Sequence, residues 1–435
     1  MTDALGPTLS ALVVLCGSAL ANPPAPSPNP AWDPDWPARE SWCLSGHVQL
    51  TSEVAYLKAG ESYFSPDGNM IIYQATPRPA DGTAPEKHYG MYVAPVARDA
   101  DGTITGLGEP LLVSNPGSSN TCGWFHPTEF TPRTAYTVLF GTTTTPPNEE
   151  AASGYQRGTS RYTWQFPNEM EIVIERLGHA SVAMEQIGGD ETVRGAGWTQ
   201  SEPEVMWSRD GYDAEASWSP DGRFVLYTRL APGSDDGDLW IFDTATQTHT
   251  ELVAKPGYDG GPFFSPDGKR ICYRSDRRGD KNLQLFVSDL AFDASGAVTG
   301  VAREIAITDN EHVNWCPFFT PDGSMLFFAT SEVTHANYEV FAVDATGDHA
   351  PADRARVRIT DARGFDGLPV FTPDGQWMMW TAQRGAQVTG EDRPSSQLWA
   401  ARVDLEAVQK RLSKVRRDIA DRKLEEEFEE RMPGG

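Results

Sequence analysis

Six stretches of this sequence lead into a recurring turn, and five of them hold an acidic or amide side chain at one fixed distance from it. Counting back six residues from the start of each turn gives Ala59, Asn120, Asp213, Asp259, Asn314 and Asp366; counting back four gives Glu61, Cys122, Glu215, Gly261, Cys316 and Leu368. Five of the first set are Asp or Asn. If these positions meet at the mouth of a channel, they suit a hard cation such as Ca2+ or another divalent ion, or a cationic or sugar-like ligand. A local cause produces the same column: Asp and Asn bond nearby backbone where a strand begins. Both readings stay open, and no cofactor is firmly implied.

A second group stands in "TTTTPPNEEAASGYQRGTSRYTWQFP", where Tyr155, Arg157, Arg161, Tyr162 and Trp164 have the residue types of recognition surfaces. A long loop on a rigid scaffold is a common place for binding; packing as a lid over the scaffold is the alternative. His126, with Glu129 three residues on, is a third candidate. No G-x-S-x-G elbow and no H-E-x-x-H pair occurs, so spacing yields no catalytic triad or metal set.

The turn that aligns these residues is Ser/Thr-Pro-Asp-Gly, at Ser65–Gly68, Ser219–Gly222, Ser265–Gly268, Thr320–Gly323 and Thr372–Gly375. Proline presets the turn, Asp bonds backbone N–H groups, and Gly takes the left-handed conformation that sends the chain back. Five copies on separate hairpins make a structural device of this aspartate. A degenerate sixth copy is expected at His126-Pro127-Thr128-Glu129.

Around each turn the pattern repeats: an apolar strand, the turn, a second apolar strand such as "FVLYTR" or "MLFFAT", a polar loop, a third strand and a weaker fourth. Intervals of 46, 55 and 52 residues separate the turns from Ser219 on. Four short strands per unit of this length predict an all-β, six-bladed β-propeller over 47–404, with an insertion of about 143–166 in blade 2. His47–Thr51 is expected to supply the missing fourth strand of the last blade and so close the ring.

Outside the repeats, residues 1–21 read as a signal peptide, with an apolar run and Ala19-Leu20-Ala21 before the expected cut. Residues 22–46 read as a Pro-rich linker. Residues 405–435 read as a charged helix and tail; Leu405, Val408, Leu412, Val415 and Ile419 form an apolar seam that lies on the propeller or offers an oligomer contact. These features predict a periplasmic or secreted protein, with a lipoprotein the lesser alternative and no transmembrane segment after cleavage. Cys43, Cys122, Cys272 and Cys316 are then free to pair in an oxidising compartment or to remain buried thiols. The net charge of −25 on 435 residues disfavours nucleic acid as a partner.

The phrases "PFFSPDGKRICYRS", "PFFTPDG" and "VFTPDGQWMMWTA", each followed by a strand such as "QLWAARVDL", resemble the WD40-like (PD40) repeats of the TolB-like β-propeller family of bacterial envelopes. The resemblance covers about 47–404. It implies an exported propeller that binds a protein or peptide partner in the envelope. A carbohydrate-active or peptide-cleaving enzyme at the channel mouth is the other class of reading.

Overall fold

In the computed structural model, residues 33–431 are described except 81, 149–153, 157–160, 164–165, 180–191, 195–196, 348, 389–390 and 392. Alternating apolar runs between Pro-Gly turns fold here as antiparallel meanders. Six such sheets form the blades of a propeller. Their innermost strands are Tyr56–Phe64, Asn120–Thr131, Tyr212–Trp218, Asp259–Phe264, Asn314–Phe319 and Asp366–Phe371. Each runs from one end of the molecule, the mouth end, to a hairpin turn at the other. The loops after each second strand therefore return to the mouth end.

Closure follows the expectation with a small shift. Blade 6 takes its fourth strand from Leu44–Gln49, antiparallel to Gln397–Val403. The pairing begins earlier than His47 and ends before Thr51, whose hydroxyl leaves the ladder to bond Gln397 Oε1 at 2.8 Å. The stretch read as linker joins the fold at its end. A short helix, Trp36–Glu40, buries Trp36 and Glu40. Trp36 packs edge-on against His47 and Trp399. Arg384, 1% exposed, lies between Glu40 Oε2 at 2.9 Å and Asp366 Oδ1 at 2.7 Å.

The five Pro-Asp-Gly turns share one hydrogen-bond pattern. In blade 1, Ser65 Oγ donates to Asp67 Oδ1 (2.6 Å), and Asp67 Oδ1 also accepts the Asn69 N–H (3.1 Å). The Met70 N–H is bonded to Ser65 Oγ, and Gly68 takes φ +67. Burial works against ionisation of Asp67, but bonds from Asn69, Ser65 and Tyr136 hold it below the usual carboxylate range. The same Ser/Thr-to-Asp bond recurs at Asp221, Asp267, Asp322 and Asp374.

Blade 2 departs from expectation. Its first hairpin turns at Thr131–Thr134, not at His126–Glu129. The His-Pro-Thr-Glu stretch is instead a bulge, with the register slipping between Phe125 and Phe130. His126 Nδ1 accepts the N–H groups of Thr128 and Glu129, the work that Ser and Asp do elsewhere. Arg133, with φ +64, takes the left-handed place in the true turn. The sequence signal was Phe130-Thr131-Pro132, a copy of the Phe-Thr-Pro that opens the turns of blades 5 and 6.

The insertion follows the second strand of blade 2, Ala135–Thr142, and holds a small hairpin, Gly154–Gln156 with Arg161–Thr163. After the last blade, Leu405–Arg431 is one helix whose Val408 and Leu412 are buried against the propeller. All four cysteines of the described region are free thiols. No helix among the described residues is long and apolar enough to cross a membrane.

Candidate functional site

The residue four places before each Pro-Asp-Gly turn, and before His126 in blade 2, has one conformation in all six blades. Glu61, Cys122, Glu215, Gly261, Cys316 and Leu368 have φ of 43°, 48°, 56°, 58°, 52° and 59°. Every inner strand is bulged at this point. A β-bulge bends its strand and re-aims a side chain, and here all six line one small cavity at the propeller axis. Its volume is about 20 Å³, room for roughly one water molecule.

Two places further along each strand, the axis is closed. Tyr63, Trp124, Phe263 and Phe318, from four different blades, meet with ring centroids 4.7 to 6.4 Å apart. The axis is therefore a well with a floor rather than an open channel.

The floor is polar. Glu215 Oε2 accepts bonds from Tyr258 Oη (2.6 Å), the Gly261 N–H (2.6 Å) and Thr228 Oγ1 (3.0 Å). Arg274 lies 3.4 Å from Glu215 Oε1 and donates to Tyr258 Oη at 2.9 Å. Glu61 accepts bonds from Gln74 Nε2 (2.8 Å) and the Cys122 thiol (2.7 Å). Burial pushes the Glu61 carboxyl above its ordinary range against the Cys122 bond, and the charge of Glu215 adds to the push. Glu61 keeps some accessible surface although protein surrounds it, as befits a group at the bottom of a narrow well. Burial also pushes the thiols of Cys122 and Cys316 well up, which keeps them protonated.

Above the floor stands a rim of aromatic rings, buried at Tyr212 and Tyr258 and half-buried at Phe166, Trp315, Tyr338, Phe365 and Tyr89. Phe166, the last residue of the expected insertion, packs on Tyr212 and Tyr258 at 5.0 and 5.4 Å. Arg274 lies over Tyr258 and Trp315. Trp315 and Tyr338 each sit 6.0 Å from Phe365. Tyr89, on the loop of blade 1, carries the Lys58 ammonium 3.9 Å above its ring.

Of the residues singled out from the sequence, Glu61 and Glu215 come together at the floor. The other column is buried and bonded within its own surroundings. Asp213 holds Arg229, Arg209 and the Trp207 indole. Asp259 holds Arg277, and Asp366 holds Arg384. Asn120 donates to Tyr89 O, and Asn314 to Asn310 Oδ1. These five therefore anchor the loops that carry the rim instead of presenting a bare ring of oxygens. His126 lies at the far end, against Trp218. The side chains of Tyr155, Arg157, Arg161, Tyr162 and Trp164 lie outside the described residues. Among the described residues no three His, Cys, Asp or Glu gather so as to hold a metal ion.

The rim aromatics and Arg274 were missed from sequence. The signal was available: an aromatic stands just before or after the Asp/Asn position at Tyr212, Tyr258, Trp315 and Phe365.

Gly261 tests the packing of the floor. A Cβ placed there would overlap the guanidinium of Arg274. Five blades carry side chains in the same left-handed conformation, so the backbone at φ +58° adds to the cost without forbidding a side chain. We expect Gly261→Ala to cost about 1–3 kcal/mol, the range for overpacking, in urea unfolding. In an Arg274→Met background, itself destabilised by leaving Glu215 unbalanced, the added cost of Gly261→Ala should be smaller, since the two positions share one space.

No family model matches this chain, and no curated protein matches it. Solved structures do. TolB from Acinetobacter baumannii is 16% identical, with 78% of this chain and 65% of that one covered and a TM-score of 0.44. The chain thus spans less than two thirds of that protein. A putative TolB from Agrobacterium tumefaciens is 16% identical over 80% of this chain and 90% of that one, with a TM-score of 0.43. An oligogalacturonate lyase from Vibrio parahaemolyticus is 10% identical over 80% and 78%, with a TM-score of 0.41. The chain itself, by its strand pairing, is a six-bladed β-propeller with a C-terminal helix.

Proposed function

We propose that this protein is a non-catalytic binding scaffold that holds a peptide or protein segment at the mouth end of its propeller axis. The observation that carries the reading is the well itself: aromatic rings above a closed polar floor with space for one small group. Aromatic anchors with few polar groups are how proteins take up a partner's side chains. Glu215 is saturated by hydrogen bonds, which suits a positioning role. Glu61 remains as the acceptor for a hydroxyl or amine that reaches the floor. The place of action we infer is the cell envelope or the outside, from the export signal read in residues 1–21.

The test is a peptide selected on the purified protein from a random library, then titrated calorimetrically. Trp315→Ala and Tyr338→Ala should each weaken it about tenfold or more, the scale of interface anchors. Unchanged affinity in both variants would rule out the mouth as the binding surface.

One observation favours an enzyme as second reading. A carboxyl pushed above its ordinary range by burial, as Glu61 is, is shifted in the direction a general acid requires. A screen of oligosaccharides and peptides decides between the two. Turnover abolished by Glu61→Gln would establish the enzyme; binding without turnover would establish the scaffold.

A further inference from the structure

Charge at the mouth end is already balanced. Asp213 is paired with Arg209 and Arg229, Asp259 with Arg277, Asp366 with Arg384, and Glu215 with Arg274. Among the described residues Glu61 has no cation within ion-pair distance, but two stand close. The Cys122 bond and Arg274 both oppose the upward push of burial on its carboxyl. Lys58 lies over Tyr89, whose hydroxyl is pushed up by burial and then by the charge of Glu61. Floor and rim thus hold two carboxyls, Glu61 and Glu215, and two cations, Arg274 and Lys58. An ammonium or guanidinium from a partner meets like charge in Arg274 and Lys58; a carboxylate meets it in Glu61 and Glu215. Like-charge contact at an interface selects against both. The group that suits this end of the axis is neutral.

Hydrogen bonding narrows the choice. A carboxyl offers about four acceptor positions. Glu61 Oε1 accepts from the Cys122 thiol (2.7 Å) and from Tyr63 Oη (3.3 Å), and Oε2 accepts from Gln74 Nε2 (2.8 Å). One position of Oε2 is left, so the missing group is a donor. Cys316, held protonated by burial, lines the same cavity and offers a weak S–H donor in return. A hydroxyl gives and accepts at one atom. It also bonds a carboxyl in either protonation state, and burial leaves Glu61 shifted toward the neutral one.

Size decides between the neutral donors. The cavity of about 20 Å³ admits roughly one heavy atom. An amide or an indole brings its donor on a wider tip; a hydroxyl oxygen has the size of a water molecule.

On the reading that the mouth holds a peptide segment, we propose that a side-chain hydroxyl of that segment, from serine, threonine or tyrosine, anchors it by entering the axial cavity and donating to Glu61 Oε2. The rim packs the rest of the anchoring residue. The floor then discriminates by one atom. A site built to bond a hydroxyl rejects the analogue without it far more strongly than an apolar pocket rejects a missing methylene.

Two peptide display libraries test this on the immobilised full chain, one lacking Ser, Thr and Tyr and the other lacking Lys and Arg. Binders whose affinity falls in Trp315→Ala are the mouth-bound ones. They should come from the library without Lys and Arg and not from the library without hydroxyls. In such a peptide, one change among Ser→Ala, Thr→Val and Tyr→Phe should weaken binding about tenfold or more, and which change does so identifies the anchor. In Glu61→Leu the same change should cost little, because the bond it removes is already gone. Leucine holds the equivalent left-handed place in blade 6, at Leu368, and thermal melts check the fold. Mouth-bound peptides that lack hydroxyls would overturn the hydroxyl anchor and leave the mouth reading standing, as would a hydroxyl whose removal costs as much in Glu61→Leu as in wild type. Binders indifferent to Trp315→Ala and Tyr338→Ala, or none at all, would overturn both.

Discussion

Replacing Arg384 by leucine should lower stability by about 3–5 kcal/mol at neutral pH, the scale for breaking a buried ion pair from one side. Arg384 is the only described cation bonded to both Glu40 and Asp366, which are 0% and 1% exposed. Its charge is shared unevenly. Burial resists ionisation of Glu40, but Arg384, with His47 and the Asp361 N–H, pulls it down to about 2. Burial wins at Asp366, which is held well above the ordinary carboxylate range. Glu40 thus contributes stability that is present above its unfolded value of 4.5 and is lost as pH falls toward 2. Removing the cation raises both carboxyls. A carboxyl raised in the folded state binds more protons there than in the unfolded chain, so its penalty shrinks as pH falls. The variant's deficit in urea unfolding should therefore be smaller at pH 4 than at pH 7. An equal deficit at both would mean that lost packing on Trp36 and Trp380, not charge, is the cause.

Glu215→Ala should cost a similar amount, about 3–5 kcal/mol. Glu215, on blade 3, receives bonds from Tyr258 and the Gly261 N–H and faces Arg274, all on blade 4. Truncation removes the carboxylate that balances a guanidinium only 6% exposed, and it strips the acceptor from a buried N–H. Glu215→Gln keeps an acceptor for that N–H and should cost less, about 1–2 kcal/mol. The pair of variants separates charge from hydrogen bonding. Because Tyr258 also supports Phe166, Glu215→Ala should weaken a mouth-bound peptide as well. Full affinity in Glu215→Ala would mean that floor and rim are independent.

The repeats made the fold legible. Five turns and a degenerate sixth counted the blades, and the missing fourth strand of the last one pointed to a closing strand from the N-terminus. What did not show was that the aligned residues, Glu61 through Leu368, share a left-handed bulge. Only one of the six is glycine, so nothing in residue type announces it. The Asp/Asn column stands at the start of the inner strands, and its partners were overlooked. Asp213, Asp259 and Asp366 are followed 16 to 18 residues later by Arg229, Arg277 and Arg384, whereas Asn120 and Asn314 have no arginine there. Within one chain, the residue type at the first place tracks the residue at the second. That is the pattern of paired side chains, not of ligands around a shared ion. The blade 2 turn was misplaced because His126 imitates the bonds of the turn without being one.

The closing strand also sets an order of events. Glu40 and Arg384 are 344 residues apart, and Leu44–Gln49 finds its partner only when Gln397–Val403 exists. At roughly 5–20 residues per second of synthesis, that strand waits on the order of twenty seconds to a minute. Throughout the wait, blade 1 has no neighbour on one side, and the N-terminal strand is an unclaimed edge. Contacts this distant in sequence form slowly. Ring closure is therefore the step at which two nascent chains can trade N-terminal strands.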